Sequence, residues 1–203
     1  MTGSPRDPEA FLDVVRTMRT HRAFTDDPVD DDTITRIVDA ATFAPSAENL
    51  QPWRFVAVRD AQRRAQIGEL NARAWRDFAR EYSKPRLDPA IFDAVDRGAG
   101  GGIAAAPVLI VVGGDTQRSH PNALTSSIFP AVENLLLTAH AFGLGSALTT
   151  LTAQFAGELR AIVGFPDTIL PLAVVPIGHP VKPLGPPRRE PVADLLRWDR
   201  WTD

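Results

Sequence analysis

The segment from Phe129 to Phe142 limits the possible folds of this chain more than any other. It reads FPAVENLLLTAHAF and carries apolar residues on nearly every side of a helix. A helix that is apolar all round lies at the centre of a fold or against a partner. The glycine that follows, Gly143, favours the left-handed conformation in which many helices end. The sequence therefore predicts a long, buried central helix that ends at Gly143.

Two further helices are predicted before the first strand. Residues 7–9, an aspartate, a proline and a glutamate, form a helix-start signal, and the helix ends near Arg19. Residues 30–32 are three aspartates that cap a second helix, which Pro45 stops. The apolar faces consist of Phe11, Leu12, Val15 and Met18 in the first helix and Ile34, Ile37, Val38 and Ala41 in the second.

Three short apolar runs predict strands at residues 54–58, 108–112 and 172–177. They do not alternate regularly with helices, so the pattern favours an α+β sandwich over a doubly wound sheet. No repeat or linker divides the sequence, and we predict a single domain over residues 1–203. The proline-rich tail from Pro180 to Pro191 is expected to be extended.

Residues 60–97 show a helical pattern with one proline-marked interruption. Trp75, Phe78 and Tyr82 share one face of it, and core packing is the simplest interpretation. The alternative is a mobile cover over a binding site, since the glycines of residues 98–102 would let the segment move as a unit.

Composition excludes several kinds of chemistry. The chain has no cysteine, which rules out a thiolate nucleophile, a disulfide, an iron–sulfur cluster and a Cys-rich zinc site. Its four histidines lack metal-ligand spacing, and neither a Gly-x-Ser-x-Gly elbow nor a dinucleotide-binding glycine loop is present. With 22 basic and 25 acidic residues, no overall field favours nucleic acid or a membrane. We find no export signal or membrane span and expect a cytoplasmic protein.

The loop from Pro45 to Pro52 is the strongest candidate for ligand contact. The two prolines fix the backbone and prevent both helix and strand pairing. The side chains of Ser46, Asn49 and Gln51 are then available to a ligand. The alternative for Ser46 and Asn49 is ordinary helix-stop and turn chemistry.

Several motifs together resemble the nitroreductase-like flavoproteins. They follow that family's order over nearly the whole chain, and the resemblance implies its fold. That fold is a central, mostly antiparallel sheet flanked by helices, with a long buried central helix and an extended C-terminal tail. The motifs are MRTHRAF at 18–24, DPV at 27–29, PSAENLQPWRF at 45–55, PAVENLLL at 130–137, GLG at 143–145, GHP at 178–180 and RREP at 188–191.

The resemblance implies a bound flavin mononucleotide (FMN) and assigns residues to its two ends. Arg19, Thr20 and the tail pair Arg188 and Arg189 would bind the phosphate, for which charged donors are well suited. Arg22 would lie at the pyrimidine edge as a catalytic group, because a fixed positive charge stabilises the reduced ring. Taken singly, Arg19 and Arg22 would be ordinary charges at a helix end.

Three further segments are implied to contact flavin. Their residues are Pro45, Ser46 and Asn49, which would serve the FMN held mainly by the other subunit; Ser126 and Ser127, placed just before the central helix and along the ring; and Thr149, Thr150 and Leu151, near flavin N5. The implied assembly is a homodimer with the FMN site at its interface.

The implied activity is that of an FMN-dependent oxidoreductase. It would pass hydride from NADPH or NADH, through flavin N5, to a small oxidised acceptor such as a nitroaromatic or a quinone. Neither a metal, a nucleic acid nor a membrane is expected to take part. The alternatives are a protein that sequesters or senses flavin without turnover, and a specialised member of the fold that consumes flavin.

Overall fold

Four antiparallel strands form the sheet at the centre of the structure, a computed structural model that describes residues 7–201. The strands are β1 (Trp53–Val58), β2 (Val108–Asp115), β3 (Gly145–Ser146) and β4 (Ile169–Gly178). Their order across the sheet is β1-β2-β4-β3. All eight residues of β2 are buried, as expected for a run of apolar residues covered on both faces. The predicted α+β class is confirmed.

Helices cover both sides of this sheet. They are α1 (Pro8–Thr17), α2 (Asp31–Thr42), α3 (Ala61–Ala74), α4 (Arg80–Ser83), α5 (Pro89–Ala99), α6 (Pro121–Ala141), α7 (Ala156–Val163) and α8 (Val192–Leu195). The predicted caps are confirmed: the side chain of Asp7 accepts from the N–H groups of Glu9 and Ala10, and that of Asp30 accepts from Thr33 N–H.

The central helix α6 begins eight residues earlier than predicted. Pro121 occupies its first turn, and the His120 side chain accepts a hydrogen bond from Asn122 N–H at 3.3 Å. Ser126 and Ser127 therefore lie inside the helix and not before it, which corrects their predicted position. Ile128 and Leu135 are fully buried, because α6 packs between α2 and the sheet.

The segment between β1 and β2 is helical, but its aromatic residues do not share one environment. Trp75 is buried, whereas Phe78 and Tyr82 are 60% and 64% exposed, so the prediction of core packing is wrong for these two. Residues Trp75–Ala79 form a π-helical turn. A π turn inserts an extra residue and rotates all that follows, which takes Phe78 and Tyr82 off the buried face. The idea of a mobile cover stays a prediction.

The C-terminal tail is extended, as predicted. Residues 183–191 have no regular secondary structure, and most are exposed. Beyond them, Trp198 and Trp201 are 82% and 65% exposed. Within residues 7–201, no helix is both long enough and apolar enough to cross a membrane.

Candidate functional site

The predicted site residues fall into two groups at opposite ends of the sheet. Thr20 pairs with Ser146 in β3, and Ser146 pairs with Ile177 in β4. Ile177 in turn pairs with Val108, at the start of β2. The proline loop, by contrast, leads into Trp53, which pairs with Gly114 near the end of β2. Val108 and Asp115 are seven residue steps apart, or about 23 Å at about 3.3 Å per step. One chain therefore presents two separate half-sites.

Arg22 is the central residue of the first half-site. Its side chain crosses Gly98 of α5 so closely that a Cβ atom on Gly98 would lie 2.7 Å from Arg22 Cδ. Burial lowers the pKa of Arg22, since a charged group loses solvation there. Within residues 7–201, its guanidinium has no hydrogen-bond or ion-pair partner. A partly buried cation without a counter-ion favours the binding of an anionic ligand, which compensates its charge.

Two cavities meet at Arg22. The larger, of about 640 Å³, lies between the segment from Thr20 to Phe24, helix α5 and the tail at Lys182 and Leu184. The smaller, of about 280 Å³, lies between Trp75, the end of α5 and residues 147–151. Thr20 and Arg22 thus line the larger cavity, and Arg22, Thr149, Thr150 and Leu151 line the smaller one. Their predicted roles at the phosphate, the pyrimidine edge and N5 of a flavin stay predictions.

A buried amide holds the Thr149 loop in place. Thr149 exchanges backbone hydrogen bonds with Val174 and donates its hydroxyl to Asn71 Oδ1 at 2.7 Å. Asn71 in α3 is fully buried and donates in turn to Ala99 O at 2.9 Å. Sequence reasoning missed Asn71. The available signal was an amide four residues after Ile67 and one after Leu70, on the apolar side of the helix, where a buried polar group requires partners.

The backbone of this loop offers a free donor at Thr150. Leu151 N–H donates to the Thr149 hydroxyl at 3.3 Å, and Ala153 N–H donates to Thr150 O at 3.0 Å. Thr150 N–H has no acceptor within the described part of the chain. Thr150 N–H is therefore available to donate a hydrogen bond to a ligand.

The residues predicted to bind phosphate are only partly assembled. The Arg19 guanidinium donates to the backbone oxygen of Gly185, which ties the tail to the end of α1. Arg188 and Arg189 follow three and four residues later and are exposed. Within residues 7–201, Arg189 donates to Arg188 O at 3.0 Å, and neither tail arginine shares a hydrogen-bond acceptor with Arg19.

The second half-site joins the proline loop to the central helix. Ala47 N–H donates to Ser127 Oγ at 3.1 Å, and Ser127 donates to Ala123 O at 2.8 Å. Ser127 is buried and fully engaged, whereas Ser126 is exposed beside it. Pro45, Ser46 and Asn49 are thus grouped with the two serines and not with Arg22.

The loop is held in an unusual conformation. Glu48, Asn49 and Gln51 have φ angles of 54°, 56° and 49°, in the left-handed region that non-glycine residues seldom occupy. Ser46 Oγ accepts from Gln51 N–H at 3.1 Å, and Asn49 Oδ1 accepts from the Gln51 amide at 3.2 Å. Backbone strain of this kind clusters at binding sites, where surrounding contacts maintain it. Among residues 7–201, no cluster of metal-ligating side chains occurs.

Comparison with known proteins places this geometry in a family. The model of the nitroreductase family matches residues 15–179. An Archaeoglobus fulgidus protein with the provisional name NADH dehydrogenase/NAD(P)H nitroreductase is 30% identical over 174 residues, 85% of this chain and 86% of its own. A Rhodospirillum rubrum protein named 5,6-dimethylbenzimidazole synthase is 36% identical over 138 residues, 63% of this chain and 62% of its own.

A solved structure extends the comparison to the whole fold. A Desulfovibrio desulfuricans protein determined in complex with FMN superposes with a TM-score of 0.71 and 26% sequence identity. The match covers 97% of this chain and 99% of that protein. The nitroreductase-like fold predicted from the sequence is thereby confirmed.

Proposed function

Because this chain belongs to the nitroreductase family, we propose that it is an FMN-dependent oxidoreductase. FMN, when bound, would supply hydride transfer through its N5 from NADPH or NADH to an oxidised acceptor such as a nitroaromatic or a quinone. The FMN complex of the Desulfovibrio desulfuricans protein supports the choice of cofactor.

Arg22 carries this proposal. It is a partly buried, unpaired cation between two cavities, and Thr150 N–H is a free donor in the loop that lines the smaller cavity with it. A fixed charge and a preorganised N–H group stabilise negative charge that develops during reaction. Arg22 would thus hold the pyrimidine edge of the flavin and favour its reduced form, while Thr149, Thr150 and Leu151 would line the reactive edge.

The phosphate would be bound by Arg19, Thr20, Arg188 and Arg189. The tail already contacts Arg19 through Gly185, which brings the two tail arginines into the same region of the surface. Guanidinium groups bind phosphate by charge-assisted hydrogen bonds. A movement of the exposed tail toward Arg19 would complete such a site.

The site would be completed in a homodimer. The half-site of Pro45, Ser46, Asn49, Ser126 and Ser127 lies at the far end of the sheet from Arg22, so we expect it to contact the flavin held by a second subunit. A two-fold axis brings the far end of one subunit to the near end of another. Each FMN would then lie between Arg22 of one subunit and the proline loop of its partner.

A flavin-consuming activity is the second candidate. The observation that favours it is the 36% identity to the protein named 5,6-dimethylbenzimidazole synthase. In such an activity the flavin would be a substrate and would disappear during turnover. In the third possibility, sequestration or sensing, the flavin would bind without being reduced by either nicotinamide.

One experiment separates these functions. The protein is purified, its absorbance spectrum is recorded, and NADPH or NADH is added without air and then with air. Bleaching that reverses in air, with all flavin recovered, supports the oxidoreductase. Flavin that is lost in air supports the flavin-consuming activity, and flavin that neither nicotinamide bleaches supports sequestration. A protein that binds no flavin contradicts all three.

A further inference from the structure

The larger cavity at Arg22 contains two more cationic side chains, which the proposed function leaves without a role. Helix α5 lines it with Ala90, Asp93, Ala94 and Arg97, positions i, i+3, i+4 and i+7 of a single helix face. Lys182, from the tail, lines the same cavity. The cavity is therefore the meeting point of α5, the tail and the segment that starts at Thr20.

The charges in this cavity are not balanced. Arg22, Arg97 and Lys182 line it together with a single carboxylate, Asp93. Over residues 7–201, the head groups of Arg97 and Lys182 make no hydrogen bond or ion pair. By contrast Arg80, on the neighbouring α4, is paired with Asp96 at 2.9 Å. Concave surfaces lined by one sign of charge concentrate the field and attract ligands of the opposite sign.

We propose that Arg97 and Lys182, together with the Thr20 hydroxyl, form an anion-binding subsite that takes a phosphate or carboxylate group of a bound ligand. This proposal rests on the proposed function, and it adds an acidic group to the description of the ligand. A planar guanidinium and a flexible ammonium bind such oxyanions well. The cavity volume of about 640 Å³ lies within the range of about 300–1,000 Å³ that small-molecule sites occupy.

Two sources could supply the anion: the phosphate of FMN itself, or an acidic group on the acceptor. The test variant is Arg97→Gln/Lys182→Gln. Its matched control is Lys84→Gln/Arg86→Gln, which removes one lysine and one arginine from exposed positions outside the cavity. Because Arg97 and Lys182 are exposed and unpaired, the test variant is expected to fold, and circular dichroism checks this.

The first arm compares FMN with riboflavin, which lacks the phosphate, by fluorescence titration of the apo-protein. The second arm uses protein saturated with FMN and compares the Michaelis constants for two acceptors, the anion para-nitrobenzoate and its neutral methyl ester. If the affinity for FMN falls about tenfold or more while that for riboflavin does not, the cofactor phosphate is the anion. If the Michaelis constant for para-nitrobenzoate rises about tenfold or more while that for the ester does not, the anion is an acidic group on the acceptor. The subsite is overturned if the constants for both charged ligands stay within about twofold of the wild-type values. It is also overturned if the constants for the neutral and the charged ligands change equally.

Failure of the proposed function is recognised separately. If wild-type protein binds neither FMN nor riboflavin, the flavin assignment fails, and the subsite is tested by calorimetric titration with inorganic phosphate. Phosphate binding that weakens in Arg97→Gln/Lys182→Gln but not in Lys84→Gln/Arg86→Gln retains the subsite. Phosphate that fails to bind the wild type, or binds both variants equally, overturns it.

Discussion

The difference between two arginines shows why Arg22 is assigned to a ligand. Arg54 lies on β1 and forms an ion pair with Asp115 at 2.9 Å, so its charge is balanced within the chain. Arg22 is also partly buried, but the described part of the chain gives it no acidic partner. Retaining an uncompensated charge in such a place costs stability unless a ligand compensates it.

Replacing Arg22 by glutamine should change redox chemistry more than cofactor retention. We expect the Arg22→Gln protein to stay yellow, with a lower flavin reduction potential and slower reduction by NADPH, because the lost charge favours the reduced ring. For a two-electron couple, about 30 mV corresponds to about 1.4 kcal/mol. A spectroscopic redox titration measures the shift, with Arg86→Gln as the control. An unchanged potential and rate would mean that Arg22 has no redox role.

His21, next to Arg22, makes the stability of the fold depend on pH. Its ring is buried, and its pKa is lowered from 6.5 by burial, by His140 and by Arg19. The unfolded chain therefore binds a proton at a pH where folded His21 stays neutral. The contribution of His21 to stability is complete above pH 6.5 and is lost as the pH falls toward the lowered pKa.

Urea unfolding between pH 7.5 and 5 measures this effect. We expect the free energy of unfolding of the wild type to fall as the pH is lowered. In His21→Asn it should fall less steeply, since asparagine does not titrate. His179→Asn, at an exposed histidine, should behave like the wild type. Identical slopes for His21→Asn and wild type would remove His21 from this account.

At the scale of elements, Asn71 connects three parts of the site. From α3 it accepts from Thr149 and donates to Ala99 at the end of α5. The loop at the small cavity and the helix that carries Arg97 are thus positioned by one buried amide. No other described side chain bonds to both.

Replacing Asn71 by leucine should loosen this connection. The Thr149 hydroxyl and the Ala99 carbonyl would lose their partner, and each unsatisfied group costs about 1–3 kcal/mol. We expect a lower free energy of unfolding in urea and slower flavin reduction by NADPH. Asn122→Ala is the control, because Asn122 is exposed at the start of α6. Reduction at the wild-type rate in a destabilised Asn71→Leu protein would limit Asn71 to a structural role.

Local sequence signals predicted the elements well and their tertiary surroundings poorly. Asp7 and Asp30 mark helix starts by chemistry that involves only neighbouring residues, so they could be identified. The early start of α6 depends on His120, an uncommon cap, and the π turn at Trp75 has no comparable local signal. The pairing of Asn71 with Thr149 spans 78 residues, which no spacing rule reports.

The candidate site shows the same limit. Arg22 and the proline loop were found through motifs, whereas Arg97 lies in a segment that matched none. Its position in the cavity follows from the packing of α5 across Gly98.

At the scale of the whole molecule, the single chain leaves large apolar side chains uncovered. Phe11 and Phe43 are 61% and 79% exposed, and Trp198 and Trp201 extend from the tail. We take these side chains as candidates for a subunit interface, because contiguous apolar surfaces mark such interfaces. We therefore predict an obligate homodimer that buries about 2,000 Å² or more and persists on dilution. Light scattering tests this, and a monomer that still holds flavin would contradict it.

The central claim is that each flavin site combines half-sites from two subunits. Two variants with different affinity tags are co-expressed: Arg19→Ala/Arg22→Gln, which alters the first half-site, and Ser46→Ala/Asn49→Gly, which alters the second. Glycine at position 49 keeps the left-handed backbone accessible. The heterodimer is isolated with both tags and reconstituted with FMN.

The measurement is the fraction of flavin that NADPH reduces at the wild-type rate in anaerobic stopped-flow. If the half-sites come from different subunits, the heterodimer has one unaltered site and one that carries all four substitutions. About half of the sites should then react at the wild-type rate, although neither parent homodimer does. If each site belonged to one chain, both sites would be altered, and a heterodimer with no wild-type phase would contradict the account.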